Sequence, residues 1–416
     1  MKLGIKLMSL FIILFLIQGS LFPQNNSIQK DEVLKAINET ATYASEVLLD
    51  ENGKSKCDYN VMEGKWYDYE PAWHTGQIIY GLVGAYNITK DPKFLRSAEK
   101  AGNWWCSLQI KDNPKLNGML KAIHGDGINN IVFATITDGT PGLFKLFELT
   151  KNTKYADVPT QAGAWMLKNM YEPKEKVFYD NVDPVSGEVL KVNSPFWPGK
   201  KNQELFDVAR PNNEGSLFKD MYTYTKDEKY KKIFIDLCES LLEKQDKYGL
   251  WMRFTPNNFE KGSFHPRFNL WYAESLIEGY ELTGNKKYLE AAKKTLLTYQ
   301  KAMQEDGTFY YVNYLDGKYN ENSVTGSATA MSALLWIRLV KLGVGEEFKQ
   351  DIEKAANWIL KSRFSVNHPD KNLRGAVIDS RIRSKKGQIW FTQRDVGTSF
   401  GLRFLADYYN YKFVTE

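Results

Sequence analysis

One phrase, written four times, constrains this chain more than any other feature. Thr89-Lys-Asp91-Pro-Lys-Phe94, Thr150-Lys-Asn152-Thr-Lys-Tyr155, Thr225-Lys-Asp227-Glu-Lys-Tyr230 and Thr283-Gly-Asn285-Lys-Lys-Tyr288 each end one apolar run at helical spacing and open another. The Asp or Asn stands where it caps the new helix, and an aromatic falls on that helix's first turn. A two-helix unit recurring about every 60 to 75 residues predicts a helical array rather than a doubly wound sheet.

The periodicity extends to six pairs. First members are expected at Gly76–Thr89, Gly139–Thr150, Glu214–Thr225, Asn269–Thr283, Gly326–Leu342 and Gly397–Tyr409. Second members are expected at Lys93–Leu108, Tyr155–Met170, Glu228–Glu243, Lys286–Met303 and Glu346–Ser362. The sixth is missing after Tyr409, and Lys30–Leu49 supplies it from the other end of the chain. An N-terminal helix pairing with the last C-terminal one closes a toroid, so the fold class is all-α, an (α/α)6 barrel with short β-hairpin-like loops at its mouth. An open superhelix is the alternative.

First members are rich in Gly, Ala and Ser, as in Gly81-Leu-Val-Gly84-Ala, which suits a crowded inner ring. Second members alternate Lys and Glu with apolar residues at helical spacing, as in Tyr288-Leu-Glu-Ala-Ala-Lys-Lys-Thr-Leu, which suits an outer ring. Inner-to-outer links are the short repeated turns. Outer-to-inner links are long and full of Gly and aromatics, so function is expected on the long-loop face.

Lys2 and Lys6, the apolar run Leu7–Ile17 and then Gln18-Gly-Ser match the three parts of a cleaved secretory signal over residues 1–23. That run is short for a membrane span, and the expected location is secreted or periplasmic. Residues 24–416 show no composition break and are read as one catalytic domain. The three cysteines, Cys57, Cys106 and Cys238, have no metal-type spacing and are expected to stay unpaired. A formal charge of +5, with two lysines and no acid in the first 23 residues, points to no nucleic-acid partner and leaves an acidic small substrate open.

Five segments leading into inner helices combine aromatic, His, Arg and carboxylate residues and should converge. They are Trp66-Tyr-Asp68-Tyr-Glu70-Pro-Ala-Trp73-His74-Thr75-Gly-Gln77; His124-Gly-Asp126-Gly with Thr137-Asp138-Gly; Arg210-Pro-Asn212-Asn213-Glu214; His265-Pro-Arg267-Phe-Asn269-Leu-Trp271; and Trp390-Phe-Thr-Gln393-Arg394-Asp395. Inner-helix N-termini would add partial positive charge to Arg210, Arg267 and Arg394, favouring an anionic ligand. Trp66, Trp73, Trp197, Trp251, Trp271 and Trp390 lie in or beside these loops and offer flat faces for sugar rings, whereas Trp104, Trp165, Trp336 and Trp358 are expected in the core.

Asp138, at the start of an inner helix, is the first catalytic candidate, as a general acid and base if burial raises its pKa; the alternative is a plain N-cap. Glu214 and Asp395 share that ambiguity, and Asp126 fits a turn. Of only four histidines, His74, His124 and His265 fall in these segments, and His124 and His265 join the catalytic candidates. No His-x-x-x-His or similar spacing suggests a metal, and no Gly-rich phosphate loop suggests an organic cofactor.

Six helical hairpins with Trp73-His74-Thr75-Gly76 opening the first inner helix, Thr137-Asp138-Gly139 the second and Ser323-Val-Thr-Gly326-Ser-Ala-Thr-Ala-Met331 the fifth resemble the unsaturated glucuronyl and rhamnogalacturonyl hydrolases. The resemblance implies that Asp138 protonates the enol ether of a 4,5-unsaturated uronic acid and activates water. It also implies a second Asp, and the matching position here is Thr75. With that carboxylate missing, Glu70 or Asp126 would have to tune Asp138. The substrate expected is an oligosaccharide bearing a carboxylate, held by Arg210, Arg267 and Arg394, with Trp73 and Trp271 stacking on sugar rings and His74 and Gln77 as further contacts. β-Elimination on a uronate, by a lyase or a dehydratase, is the competing chemistry: His265, His124 or a Tyr as base, and Arg267 and Asn213 as carboxylate clamp. A non-catalytic glycan-binding protein is a third reading.

Overall fold

The computed structural model describes residues 27–125, 127–195, 200–210, 216–385 and 388–414. The repeated phrase folds as its chemistry requires. In the first copy the Thr89 hydroxyl closes its helix by donating to the Ala85 carbonyl at 2.8 Å. Lys90 then turns through the left-handed region at φ 57°, and the Asp91 carboxylate caps the next helix by accepting the Lys93 N–H at 2.9 Å. The third copy repeats this with Lys226 at φ 59° and Asp227 accepting from Lys229 at 3.0 Å. The fourth places Gly284 at the left-handed position and caps with Asn285, and the second reaches the same geometry through Lys151 and Asn152.

Twelve helices of nine residues or more follow among the described residues. They are α1 Lys30–Tyr43, α2 Pro71–Thr89, α3 Pro92–Ser107, α4 Thr140–Thr150, α5 Lys154–Asn169 and α6 Leu217–Thr225. Then come α7 Glu228–Lys244, α8 Phe268–Thr283, α9 Lys286–Ala302, α10 Gly326–Lys341, α11 Lys349–Lys361 and α12 Val396–Phe413. The even-numbered helices form the inner ring and the odd-numbered ones the outer. Along the inner ring α8, α10, α12, α2, α4 and α6 pack in that order, and α7 touches both α6 and α8. α1 packs on α12 and α11 and continues as a π-helical turn, Ala44–Leu48, against α3, so the barrel closes through its two chain ends as expected.

Helix bounds shift where local chemistry intervenes. α2 begins at Pro71, a residue preorganised for a first helical position, and the outer segment expected from Glu346 opens as a 3-10 turn, Glu346–Phe348, before α11. Glu214 lies outside the described residues. Inner helices are largely buried, and α10 contributes buried residues along almost its whole length. Their close approach depends on glycine: a Cβ on Gly76 would stand 2.2 Å from the Gly139 carbonyl oxygen, and one on Gly142 would stand 2.1 Å from that of Gly76. Trp336 and Trp358 are in the core, whereas Trp104 and Trp165 are only half-buried against it. No disulfide joins the three buried cysteines. No helix among the described residues is long and apolar enough to cross a membrane.

The long loops carry small antiparallel sheets at the mouth. The largest orders Ser380–Lys385, Gln388–Arg394, Asp58–Asn60 and Lys65–Tyr67, pairing Asp58 with Arg394 and Asn60 with Thr392. It is a second closure, joining the first and last loops by backbone hydrogen bonds. Another orders Tyr319–Val324, Tyr310–Tyr314 and Ser263–Phe264.

Candidate active site

All five segments singled out in the sequence meet around one cavity of ≈ 560 Å³ at the long-loop end. Glu70 and Trp73 come from the start of α2, His124 and Asp138 from the loop and short helix before α4, and Arg210 from the strand before α6. His265, Arg267 and Trp271 enter at the start of α8, and Arg394 at the start of α12. Tyr311 and Arg381, from the last two long loops, also line it.

His265 and Tyr311 form its most distinctive pair. Nδ1 of His265 accepts the backbone N–H groups of Arg267 and Phe268 at 3.2 and 3.1 Å, capping α8. The imidazole therefore carries its proton on Nε2, which donates to the Tyr311 hydroxyl oxygen at 3.2 Å. Burial, helped by Arg267, Arg394, Arg381 and Arg210, pushes the imidazole pKa well below its usual value and keeps the ring neutral. Burial alone would raise the Tyr311 pKa, but Arg381, Arg394 and Arg267 outweigh it and hold the phenol below its ordinary value. Neighbouring phenols move the other way: burial, with Glu70, drives Tyr69 up. Tyr311 is thus a cavity phenol whose pKa is lowered where burial raises that of Tyr69.

Buried acids hold the guanidiniums in place. Arg394 pairs with Asp58 at 3.2 Å and Arg210 with Asp180 at 3.1 Å. Arg267 donates to the Ser327 hydroxyl at 2.8 Å, which in turn bonds Asp379. Burial opposes the Arg394 charge, but Asp58 outweighs it and keeps the side chain firmly cationic.

A second group of acid and base candidates lines the same cavity. Glu70 sits in the left-handed region at φ 49° and ψ 49°, a conformation a non-glycine residue holds only under local constraint. Its carboxylate accepts from the Thr135 hydroxyl at 2.9 Å and lies 3.5 Å from His124 Nε2, while His124 Nδ1 donates to the Gly125 carbonyl at 3.0 Å. Asp138 is buried at the end of the short helix Phe133–Thr137, two residues before α4 begins.

Several sequence expectations are corrected here. His74 does not face the cavity: it is fully buried behind Trp73, with Nδ1 bonded to Asp395, whose other oxygen accepts from Ser55 at 2.5 Å. Consecutive helix residues point in different directions, and only Trp73 points inward. Gln77 also misses the mouth. Its amide donates to the Asp138 carbonyl at 2.5 Å and its oxygen accepts from Arg403 at 3.0 Å, deeper along the barrel axis. Asp395 is held by His74 and Ser55 and caps nothing. Thr75, where the resemblance implied a carboxylate, is buried and accepts the Ser55 N–H at 2.8 Å. Trp251 is core, donating to the Leu241 carbonyl, and Trp66 and Trp390 do not line the cavity, so Trp73 and Trp271, 5.8 Å apart edge to face, are the stacking candidates. Asn213, Glu214, Asp126 and Trp197 lie outside the described residues.

Among the described residues Cys57, His74 and Asp395 bring metal-type donor atoms within 4.8 Å of one another. His74 Nδ1 and both Asp395 oxygens are already engaged in the hydrogen-bonded chain to Ser55, so the group is described as a structural chain. Sequence reading did not single out Tyr311 or Arg381. The available signals were weak: a Tyr-Tyr pair in a long loop, and the basic stretch Arg381-Ile-Arg383-Ser-Lys385.

A closed double ring with its site among the long loops defines the (α/α)6 class, and solved structures of that class superpose on this chain. A cellobiose 2-epimerase from Bacillus thermoamylovorans matches with a TM-score of 0.65 at 15% identity, covering 91% of this chain and 99% of its own. An unsaturated glucuronyl hydrolase specific for heparin matches with a TM-score of 0.65 at 11% identity, covering 91% and 97%. A D-mannose isomerase matches with a TM-score of 0.63 at 14% identity, covering 93% and 99%. These likenesses establish the fold, including the resemblance to unsaturated glucuronyl hydrolases seen in the sequence. No family model matches the sequence, and no curated protein matches it.

Proposed function

We propose that this protein is a carbohydrate-active enzyme that removes the C5 proton of a uronic acid residue in an oligosaccharide and eliminates the group at C4. The observation that carries the reading is the Tyr311 hydroxyl oxygen, which accepts the His265 Nε2 proton at 3.2 Å within a cluster of guanidiniums. As a phenolate, Tyr311 takes the C5 proton. The electron pair left at C5 is delocalised into the carboxylate, where Arg267 and its neighbours stabilise the growing charge. It then forms the C4–C5 double bond as the C4–O bond breaks, and Tyr311 passes the proton it took from C5 to the departing oxygen, which leaves as water from a dehydratase substrate or as a sugar hydroxyl from a lyase substrate, and the phenolate is restored. Trp73 and Trp271 offer faces for the rings, and the signal-like N-terminus supports export.

A second reading is favoured by Asp138, buried in the same cavity with Glu70 and His124. Here Asp138 hydrates a 4,5-unsaturated uronate, as an unsaturated glycuronyl hydrolase does. Ultraviolet absorbance of the conjugated uronate separates the two. A rise with saturated uronate oligosaccharides, reduced ~10³-fold in Tyr311→Phe, supports elimination. A fall with the unsaturated set, abolished in Asp138→Asn and retained in Tyr311→Phe, replaces it with hydration. No change with either set overturns both and leaves glycan binding.

A further inference from the structure

Three of the four guanidiniums at the cavity have a carboxylate close by, in Asp58, Asp180 and Asp379. Arg381 has no ion-pair partner among the described residues; its guanidinium stands 5.1 Å from the centre of the Tyr311 ring. The hairpins that carry the two residues are also tied together. Tyr310 pairs with Val324 across one hairpin, Val324 donates its N–H to the Ser380 hydroxyl at 3.1 Å, and Arg381 follows Ser380 in a strand paired with Gln388–Arg394.

We propose that Arg381 is the counter-ion of the Tyr311 phenolate, a positioning residue that the C-terminal hairpin brings to the base. The inference rests on Tyr311 acting as base. The other groups around the phenol are the His265 Nε2–H, Arg267, Arg394, Asp379 and Tyr69. Arg267 and Arg394 share their charge with Asp379 and Asp58, and His265 is neutral, so Arg381 is the cation whose field at the phenol is least cancelled. Ionising Tyr311 pairs that cation, and protonating Tyr311 leaves it without an anion.

The test is a pH titration of the full-length protein carrying ¹³Cζ-labelled tyrosine, with Tyr311→Phe assigning the resonance. In Arg381→Gln the Tyr311 ionisation should move upward by about one pH unit or more. Turnover should fall ~10-fold near neutrality and recover as pH rises through the new value, and Arg381→Lys should restore most of the shift. An unmoved Tyr311 titration in Arg381→Gln, with or without loss of turnover, overturns the proposal. If Tyr311→Phe stays active, the base assignment fails separately, and the Arg381→Gln titration still decides whether Arg381 governs the phenol.

Discussion

At the scale of single residues, identity and conformation are set locally wherever the repeated phrase occurs. Lys90, Lys151 and Lys226 occupy the left-handed position that Gly284 fills without steric penalty. Lys226 is exposed, so Lys226→Gly removes strain without losing a buried contact and should stabilise the protein by about 1 kcal/mol. Asp227→Ala removes the cap on the Lys229 N–H and should destabilise it by about 1 kcal/mol. Urea midpoints of the two variants, moving in opposite directions, check both. The catalytic candidates obey no such local rule. Tyr311 is one of 24 tyrosines, and its lowered pKa arises from guanidiniums delivered by two separate loops, a property that no spacing in the sequence encodes. Asp138 and His265 were legible because each stands at a helix start beside Gly or Pro, although His265 proves to be a proton donor to Tyr311 with its other nitrogen occupied by the backbone.

At the scale of elements, the inner helices are distinguished by what they lack. α2 and α4 meet where Gly76, Gly139 and Gly142 bring backbone against backbone. A methyl group there meets carbonyl oxygen on a neighbouring helix, which cannot swing aside as a flexible side chain could. Gly76→Ala should therefore cost about 3 kcal/mol or more, at or above the upper end of ordinary overpacking, and should also lower turnover because Trp73 and Asp138 flank the contact. Thermal unfolding and steady-state kinetics of the same variant measure both effects. The Gly, Ala and Ser content of these helices marked them as inner, but which side chain of a largely buried helix faces the cavity was not encoded there. His74 and Trp73 are sequence neighbours, and the reading that placed both in the mouth was right for one of them. The packing of α2 against α12, which seats Asp395 beside His74, made that choice.

At the scale of the whole molecule, the chain ends close the structure twice, once through α1 on α12 and once through the sheet joining Asp58–Asn60 to Gln388–Arg394. A chain ending at Asp379 loses α12, the mouth hairpin, Arg381 and Arg394 together. It should show no single cooperative urea transition, and its inner helices should expose apolar surface that a hydrophobic dye reports; an intact cooperative transition would mean that the ring is stable when open. The same closure explains why the site draws on residues from Asp58 to Arg394: a toroid brings the start of every second helix to one rim.

The sequence by itself determined the number of helix pairs, the sorting into two rings, the end at which the long loops gather and the set of loops that would meet. Those properties follow from caps, turns and periodicity, which act over a few residues. The tertiary structure alone decided which of the gathered side chains face the cavity and how they are charged, because orientation depends on packing on every side of a buried helix. The state of Tyr311 depends on burial and on the Coulomb field of groups far apart in the chain, and those terms come into being only when the ring closes.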